Sequence, residues 1–442
     1  MQRVSDALQR RPSHRVDSPV RGAWLLRAVA GVLLLVQVGL FWCGLPASLH
    51  ANTDFRVFYT AAHLVLQGRA EEMFSYEAQR HAQKALFGAS GQTLPFLYPA
   101  YAALLFVPFG LLPFGVAYLL FTLVNIAGLC VASYLLCERV PALRRRPMSL
   151  RVGLVAAMLP LAEVLIQGQI SILLLLLHVG MEHLLAQRRD LSAGVVLAVC
   201  LVKFQIAIPV ALLFLVWRCY RVLAGFMCGA AGLALVSLAM CGVSGLRAYG
   251  RATIEVAGAT VMHPLAAKAR YGMYGGEMPN LHGLCFDVTQ GSASGAILLF
   301  VASAITLVWA SRQRPSLAVA LPAAMLVSYH LQVYDLVLLL LPLALAAGAV
   351  LDGHGSGNNR GTGDVMAAYV LCGSFACVAL PVAGLLLMKG WAPVLALPVM
   401  GVLFAAGVLV VPSAVVWDAD RARGGDGYAS AIGGPLSIPG LH

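Results

Sequence analysis

"VGLVAAMLPLAEVLIQGQISILLLLLHVGMEHLLAQ", residues 152–187, carries too many apolar residues for one crossing, and the polar "QGQIS" at 167–171 falls in its middle. A bilayer core takes about 20 apolar residues per helix. Residues 191–217 repeat the arrangement with "KFQ" at 203–205 in the middle. Arginines flank both units: Arg144, Arg145 and Arg146 before the first, Arg188 and Arg189 between them, Arg218 and Arg221 after the second. Basic clusters stay on the cytoplasmic side. Each unit therefore reads as a hairpin of two short helices, with both feet in the cytoplasm and a polar apex. Polar backbone at membrane depth is tolerated only inside protein or beside water, so two polar apices predict a wet cavity.

The composition agrees with a membrane setting. Of 442 residues, 60% are apolar and 11% charged, and the mean hydropathy is +0.83. Soluble domains have about 25% charged residues. Runs at 24–45, 222–243, 365–388 and 391–412 are long and continuously apolar, which excludes the alternating pattern of a barrel. The expected fold is an all-α polytopic bundle. The net charge of +11 is clustered between spans, with no basic stripe interleaved with aromatics, so no nucleic-acid partner is expected. The ten cysteines include no zinc-type pair; Cys241 with Cys285 is the one pair placed to meet outside the membrane.

Residues 1–23 are basic and the apolar run from Trp24 lacks an A-x-A site, so this run reads as a retained first span with a cytoplasmic N-terminus. The membrane domain covers 24–412. Residues 46–97 form a first outer segment, whose "AAHLVLQGRAEEMFSYEAQRHAQKALFG" suggests amphipathic helices lying on the outer membrane face. Residues 98–137 make one net crossing, with 98–112 partly re-entrant because Pro108 and Pro113 interrupt the pattern. A second outer loop spans 244–292. The glycine-rich 352–364 is a cytoplasmic linker, and 413–442 a disordered cytoplasmic tail.

In this topology Asp54, Gln167, Gln169, Lys203, Gln205, Asn280, His282, His330, Tyr334 and Asp335 converge on the outer side. Ionisable groups at membrane depth mark function by default. Plainer roles exist for each. Asp54 and Asp335 suit helix N-caps, Lys203 a snorkelling side chain, His330 a bonded core histidine, and the glutamines bridges between helices. Glu163 and His178 read as structural partners.

Four stretches resemble glycosyltransferase family 87, polyprenol-phosphate-mannose-dependent enzymes of the GT-C class. They are "DFRVFYTAAHLVLQG" (54–68), "PFLYPAYAALLFVPFGLLPFGVAYLLF" (95–121), "QGQISILLLLL" through "VKFQIAIPVALL" (167–213), and "MPNLHGL" with "SYHLQVYDLVLLLLP" (278–342). The chain departs from the family pattern at Tyr98-Pro99-Ala100, Lys203-Phe204-Gln205 and Tyr329-His330, where the family usually has a second proline, a central proline and a proline before histidine. The resemblance implies a hexosyltransferase, mannosyltransferase-like, of the inner membrane. Asp54 would be its general base on the extracytoplasmic side. Lys203 and His330 would bind the donor phosphate, and Tyr98, Gln169, Gln205, Asn280, Tyr334 and Asp335 would position substrate. It further implies an inverting displacement, a polyprenyl-phosphate sugar donor in the lipid bilayer and a lipid or glycan acceptor. On the residues, Asp54 and Asp335 could share a metal, yet no pair of closely spaced carboxylates dominates the outer face, so no metal or other cofactor is expected. Two other classes stay open on the residues. Broken helices with polar apices also mark secondary transporters, and Arg247, Arg251 and Arg270 suit an enzyme using diphosphate-linked oligosaccharide.

Overall fold

The computed structural model describes residues 19–88, 93–271, 274–353 and 362–409. Most of the N-terminal segment, the core of the glycine-rich linker and the C-terminal tail lie outside the described residues. The described chain is helical, without strands, and six of its helices are long and apolar enough to cross a membrane. The all-α polytopic fold is therefore as expected.

Side-chain bonds fix how the helices run relative to one another. The first helix, Pro19–Leu49, sends Gln37 Nε2 to the carbonyls of Ala156 and Met158 at 2.8 Å each, and Ser48 Oγ to Ile166 O at 2.8 Å. Helices Met148–Ala156 and Leu159–Gln167 thus climb parallel to it and end at the level of Asp54. The chain then bends by 119° into Ser171–Ala186, which descends beside Phe114–Arg139, where Arg139 Nε donates to Glu182 Oε1 at 3.0 Å. This is the first hairpin.

The second is less obvious. Asp190–Val216 is 27 residues long and could by length be one straight span. Its neighbours say otherwise. A Cβ on Gly194 would sit 1.9 Å from Val222 O, one on Gly225 2.0 Å from Leu191 O, and one on Gly229 2.7 Å from the Ala198 Cβ. The start of helix Tyr220–Met262 is therefore in backbone contact with Asp190–Val199 and parallel to it. Two parallel segments so close in sequence need a reversal between them. Phe204–Val216 must run back, and the turn falls at Lys203 (φ −117°, ψ 71°). Both apices lie at one end of the bundle, and Arg139, Arg188, Arg189, Arg218 and Arg221 fall at the other. The later helices keep this polarity. Trp217 Nε1 donates to Ser311 O at 3.1 Å at the arginine end, and Gly348 approaches Val140 there.

Two expectations are corrected. Tyr220–Met262 has 43 residues; at 1.5 Å per residue a straight helix would be about twice the thickness of a bilayer core. Gly242 (φ 66°, ψ −178°) kinks it, and the part beyond, read from sequence as loop, is helix packed on the first polar segment, with Phe74 and Tyr249 rings 5.0 Å apart. Helix Phe55–Leu66 does not lie with a free face on the membrane. Phe55, Phe58, Tyr59, Ala62 and Leu64 are all buried, because the short turns Ala100–Leu104 and Val107–Gly110 fold over it. Phe58 stacks on Phe106 at 4.3 Å and Phe55 on Phe121 at 5.2 Å. Helix Tyr76–Phe87 does have an exposed charged face, but its buried residues are Gln79 and Gln83. These bond the strap 94–96: Gln83 Nε2 to Leu94 O at 2.7 Å, and Phe96 N to Gln79 Oε1 at 2.5 Å. Cys241 and Cys285 are free thiols.

Candidate active site

At the apex end, both hairpins, the segment after the first helix, the strap 94–98 and the loop 328–334 enclose a cavity of about 610 Å³. Asp54, Tyr98, Gln169, Lys203, Gln205, His330 and Tyr334 all line it. Residues far apart in sequence thus share one hollow, beside Glu163, Gln167, Glu277, Tyr329 and Gln332.

The first apex is clasped to the chain around Asp54. Thr53 Oγ1 donates to Ile166 O at 3.0 Å, and the Asp54 amide to Gln167 Oε1 at 3.3 Å. The turn needs Gly168 twice over. Its backbone is left-handed (φ 59°), and a Cβ there would lie 2.7 Å from the Phe55 Cβ. That turn aims Gln169, whose Nε2 donates to Asp54 Oδ2 at 2.8 Å while its Oε1 accepts from the Tyr98 hydroxyl at 3.3 Å. Asp54 occupies a helix N-cap position, yet its side chain makes no capping bond. The carboxylate is held toward the cavity by Gln169, with the Tyr334 hydroxyl also beside it. Burial raises its pKa above the ordinary carboxylate value, against the opposing pull of the Gln169 hydrogen bond and of the Lys203 and Arg56 charges.

The second apex carries Lys203. It does not stand alone, since Nζ pairs with Asp335 Oδ1 and donates to Ser171 Oγ at 3.2 Å. Ser171 Oγ in turn donates to the same Asp335 oxygen at 2.5 Å. Lys203 and Asp335 are 2% and 1% exposed, and two such charges stay buried only because they neutralise one another. Asp335 also takes the Gln332 amide at 3.2 Å and closes a capping box. It is absent from the cavity wall and has no free edge for substrate. A lysine ammonium has three donors, and these contacts occupy two of them.

His330 also differs from expectation. Burial lowers its pKa to about 4, so at neutral pH its imidazole is uncharged and acts as a hydrogen-bonding group, not a fixed cation. Its Nδ1 is buried without a partner among the described residues. Asn280 is corrected outright. Its Nδ2 donates to Ser328 O at 2.7 Å, its Oδ1 caps the helix Leu281–Thr289 through Gly283 N at 3.1 Å, and it does not line the cavity. His282 Nδ1 bonds Tyr329 O at 2.8 Å. The "MPNLHGL" motif thus holds the loop that presents His330.

Sequence reasoning read Glu163 as a structural partner, yet it reaches the wall, where it accepts from Gln167 Nε2 at 3.4 Å. The same reasoning missed Glu277, held by Lys268 at 2.8 Å. The signal for Glu163 was its place one helical turn before Gln167. Among the described residues, no group of three or more His, Cys, Asp or Glu side chains is arranged to hold a metal ion.

The arrangement brings an oriented carboxylate of raised basicity, hydroxyls, amides and a compensated ammonium into one hollow. It is suited to taking a proton from a hydroxyl while holding an anion by hydrogen bonds. No curated protein and no solved structure matches the chain. A family model does, over residues 96–342, which is more than half of the 442 and includes both apices and the 328–334 loop, though not Asp54. The chain belongs to glycosyltransferase family 87, which makes it a multi-pass membrane glycosyltransferase.

Proposed function

We propose that the enzyme transfers a hexose, mannose first among them, from a polyprenyl-phosphate donor to a lipid or glycan acceptor on the extracytoplasmic face of the inner membrane, with inversion. The observation that carries this reading is the Asp54 carboxylate, uncommitted to its own helix and turned by Gln169 into the cavity. The acceptor oxygen attacks the anomeric carbon, its proton passes to Asp54, and the bond from that carbon to the phosphate oxygen breaks. The electron pair leaves with the polyprenyl phosphate. Such general-base assistance contributes roughly 10²–10⁴-fold.

Negative charge grows on the leaving phosphate, and donors already in place stabilise it without reorganising. Lys203 supports this by its remaining N–H, and His330 by its neutral ring. Gln205 and Gln332, which line the cavity, supply further donors. The arginine end of the bundle supports the orientation, since basic clusters remain cytoplasmic and leave the cavity at the opposite side. Tyr98 belongs to both the strap and the Gln169 chain, so we assign it to positioning the acceptor.

The test is incubation of the purified full chain with radiolabelled polyprenyl-phosphate mannose and a membrane-lipid extract. Label moving into an acceptor, with loss of the anomeric phosphate ester, supports the reading. Donor left intact under conditions where nucleotide-linked mannose is consumed contradicts it.

A further inference from the structure

A second chamber, of about 310 Å³, lies beside the cavity and shares Pro95, Leu97 and Tyr271 with it. One face of the helix beyond the Gly242 kink forms its floor: Ala248, Arg251, Ala252, Glu255 and Val256, the 3–4 spacing that puts side chains on one side of a helix. The alanines leave room between the charged residues. The guanidinium of Arg270 lies 5.3 Å from the Tyr76 ring centre and 5.2 Å from that of Tyr271. Arg270 pairs with Glu255 at 3.4 Å, and the Tyr271 hydroxyl donates to the same carboxylate at 2.5 Å. Glu255 is thus already committed. Arg251 is exposed and has no ion-pair partner among the described residues.

The two hollows differ in charge. Asp54 and Glu163 face the larger one, whose Glu277 is matched by Lys268 and whose lysine is matched by Asp335. The smaller has two arginines against one glutamate. An acidic group on the acceptor is drawn to the second, where arginine forks fit phosphate or carboxylate oxygens.

We propose that this chamber is a subsite for an anionic group on the acceptor, bound by Arg251 with Arg270, so that a hydroxyl elsewhere on the same molecule passes Tyr271 and reaches Asp54. The acceptor class is therefore a glycan bearing phosphate or carboxylate, either in a lipid headgroup or free in solution. The placement of the receiving hydroxyl rests on the function proposed above; the anion site itself does not.

The test is binding without turnover, on the full chain in neutral detergent or phosphatidylcholine vesicles. Glucose 6-phosphate is titrated against glucose, and vesicles containing one-fifth phosphatidylglycerol are compared with pure phosphatidylcholine. The expected result is a preference for the phosphorylated or acidic probe that Arg251→Gln weakens about tenfold, that Arg251→Lys partly restores, and that Asp54→Asn leaves in place. Saturation by the soluble probe points to a free acceptor, and by the acidic vesicle alone to a lipid headgroup; either upholds the subsite. Equal binding by wild type and Arg251→Gln overturns it, whether or not the proposed transfer reaction is found.

Discussion

Two buried ion pairs among the described residues lie at opposite ends of the bundle. Arg139 and Glu182 meet at 3.0 Å near the arginine end, their side chains 18% and 3% exposed. Lys203 and Asp335 meet at the apex end, at 3% and 1%. By burial alone the two are the same kind of object. What separates them is surroundings: the first pair joins two descending helices, while Lys203 also forms part of a cavity wall, its Nζ 4.9 Å from the Tyr334 ring centre. A buried charge is thus a pointer to function only when a hollow reaches it.

Breaking either pair on one side should cost stability on the order of 3–5 kcal/mol, because an unpaired charge is stranded. Removing both partners should relieve most of that loss. The pairs should then part company. Arg139→Met with Glu182→Leu should restore melting temperature and transfer together. Lys203→Met with Asp335→Leu should restore melting temperature but leave transfer reduced by at least about tenfold, the loss of one charge-assisted bond to the leaving group. Equal recovery of activity in both double variants would reduce the Lys203 pair to a brace.

A smaller effect concerns pH. Burial raises the Asp54 pKa, so the carboxylate regains its proton at a higher pH than an ordinary aspartate. Transfer should fall on acidification with a limb above the usual carboxylate range. Lys203, Arg56, Tyr98, Tyr334 and Glu163 face this group, but the Gln169 bond is the strongest influence holding the charged form. Gln169→Leu should therefore move the limb further up as well as lowering the rate. His330, already neutral well above its pKa of about 4, should contribute no limb between pH 6 and 8. A raised folded-state pKa means that Asp54 favours the fold in its protonated form and opposes it as pH rises through that value. Asp54→Asn should accordingly melt no lower than wild type at neutral pH.

The smallest change is expected at Asn280. Alanine there removes a cap worth about 1 kcal/mol and loosens the Ser328 carbonyl, so melting temperature should drop slightly. Any loss of transfer should track the loop and not a substrate contact.

Much of this architecture was legible because membrane thickness limits what a run of residues can do. Residues 152–187 and 191–217 were too long and too polar at the centre to be ordinary spans, and the arginines set their ends. The helix beyond Gly242 escaped notice because Arg247, Arg251 and Glu255 make it look like loop, although its small and charged residues recur at helical spacing. The fate of each polar side chain was not legible at all. Lys203 and Asp335 are 132 positions apart, and Asn280 meets Ser328 across 48. Local pattern carries no information on such partners, and they decide which groups are spent on the fold and which stay open to a ligand. Burial of Phe55–Leu66 was hidden for the same reason, since the turns that cover it come from residues 100–110.

The most direct measurement is single-turnover transfer from saturating radiolabelled polyprenyl-phosphate mannose, comparing wild type with Asp54→Asn at equal folded concentration. With a proton-accepting carboxylate at position 54, the variant should bind donor normally and lose on the order of 10²–10⁴ in rate. Turnover by the asparagine variant at the wild-type rate would place the base elsewhere, with Glu163 the next carboxylate in the wall.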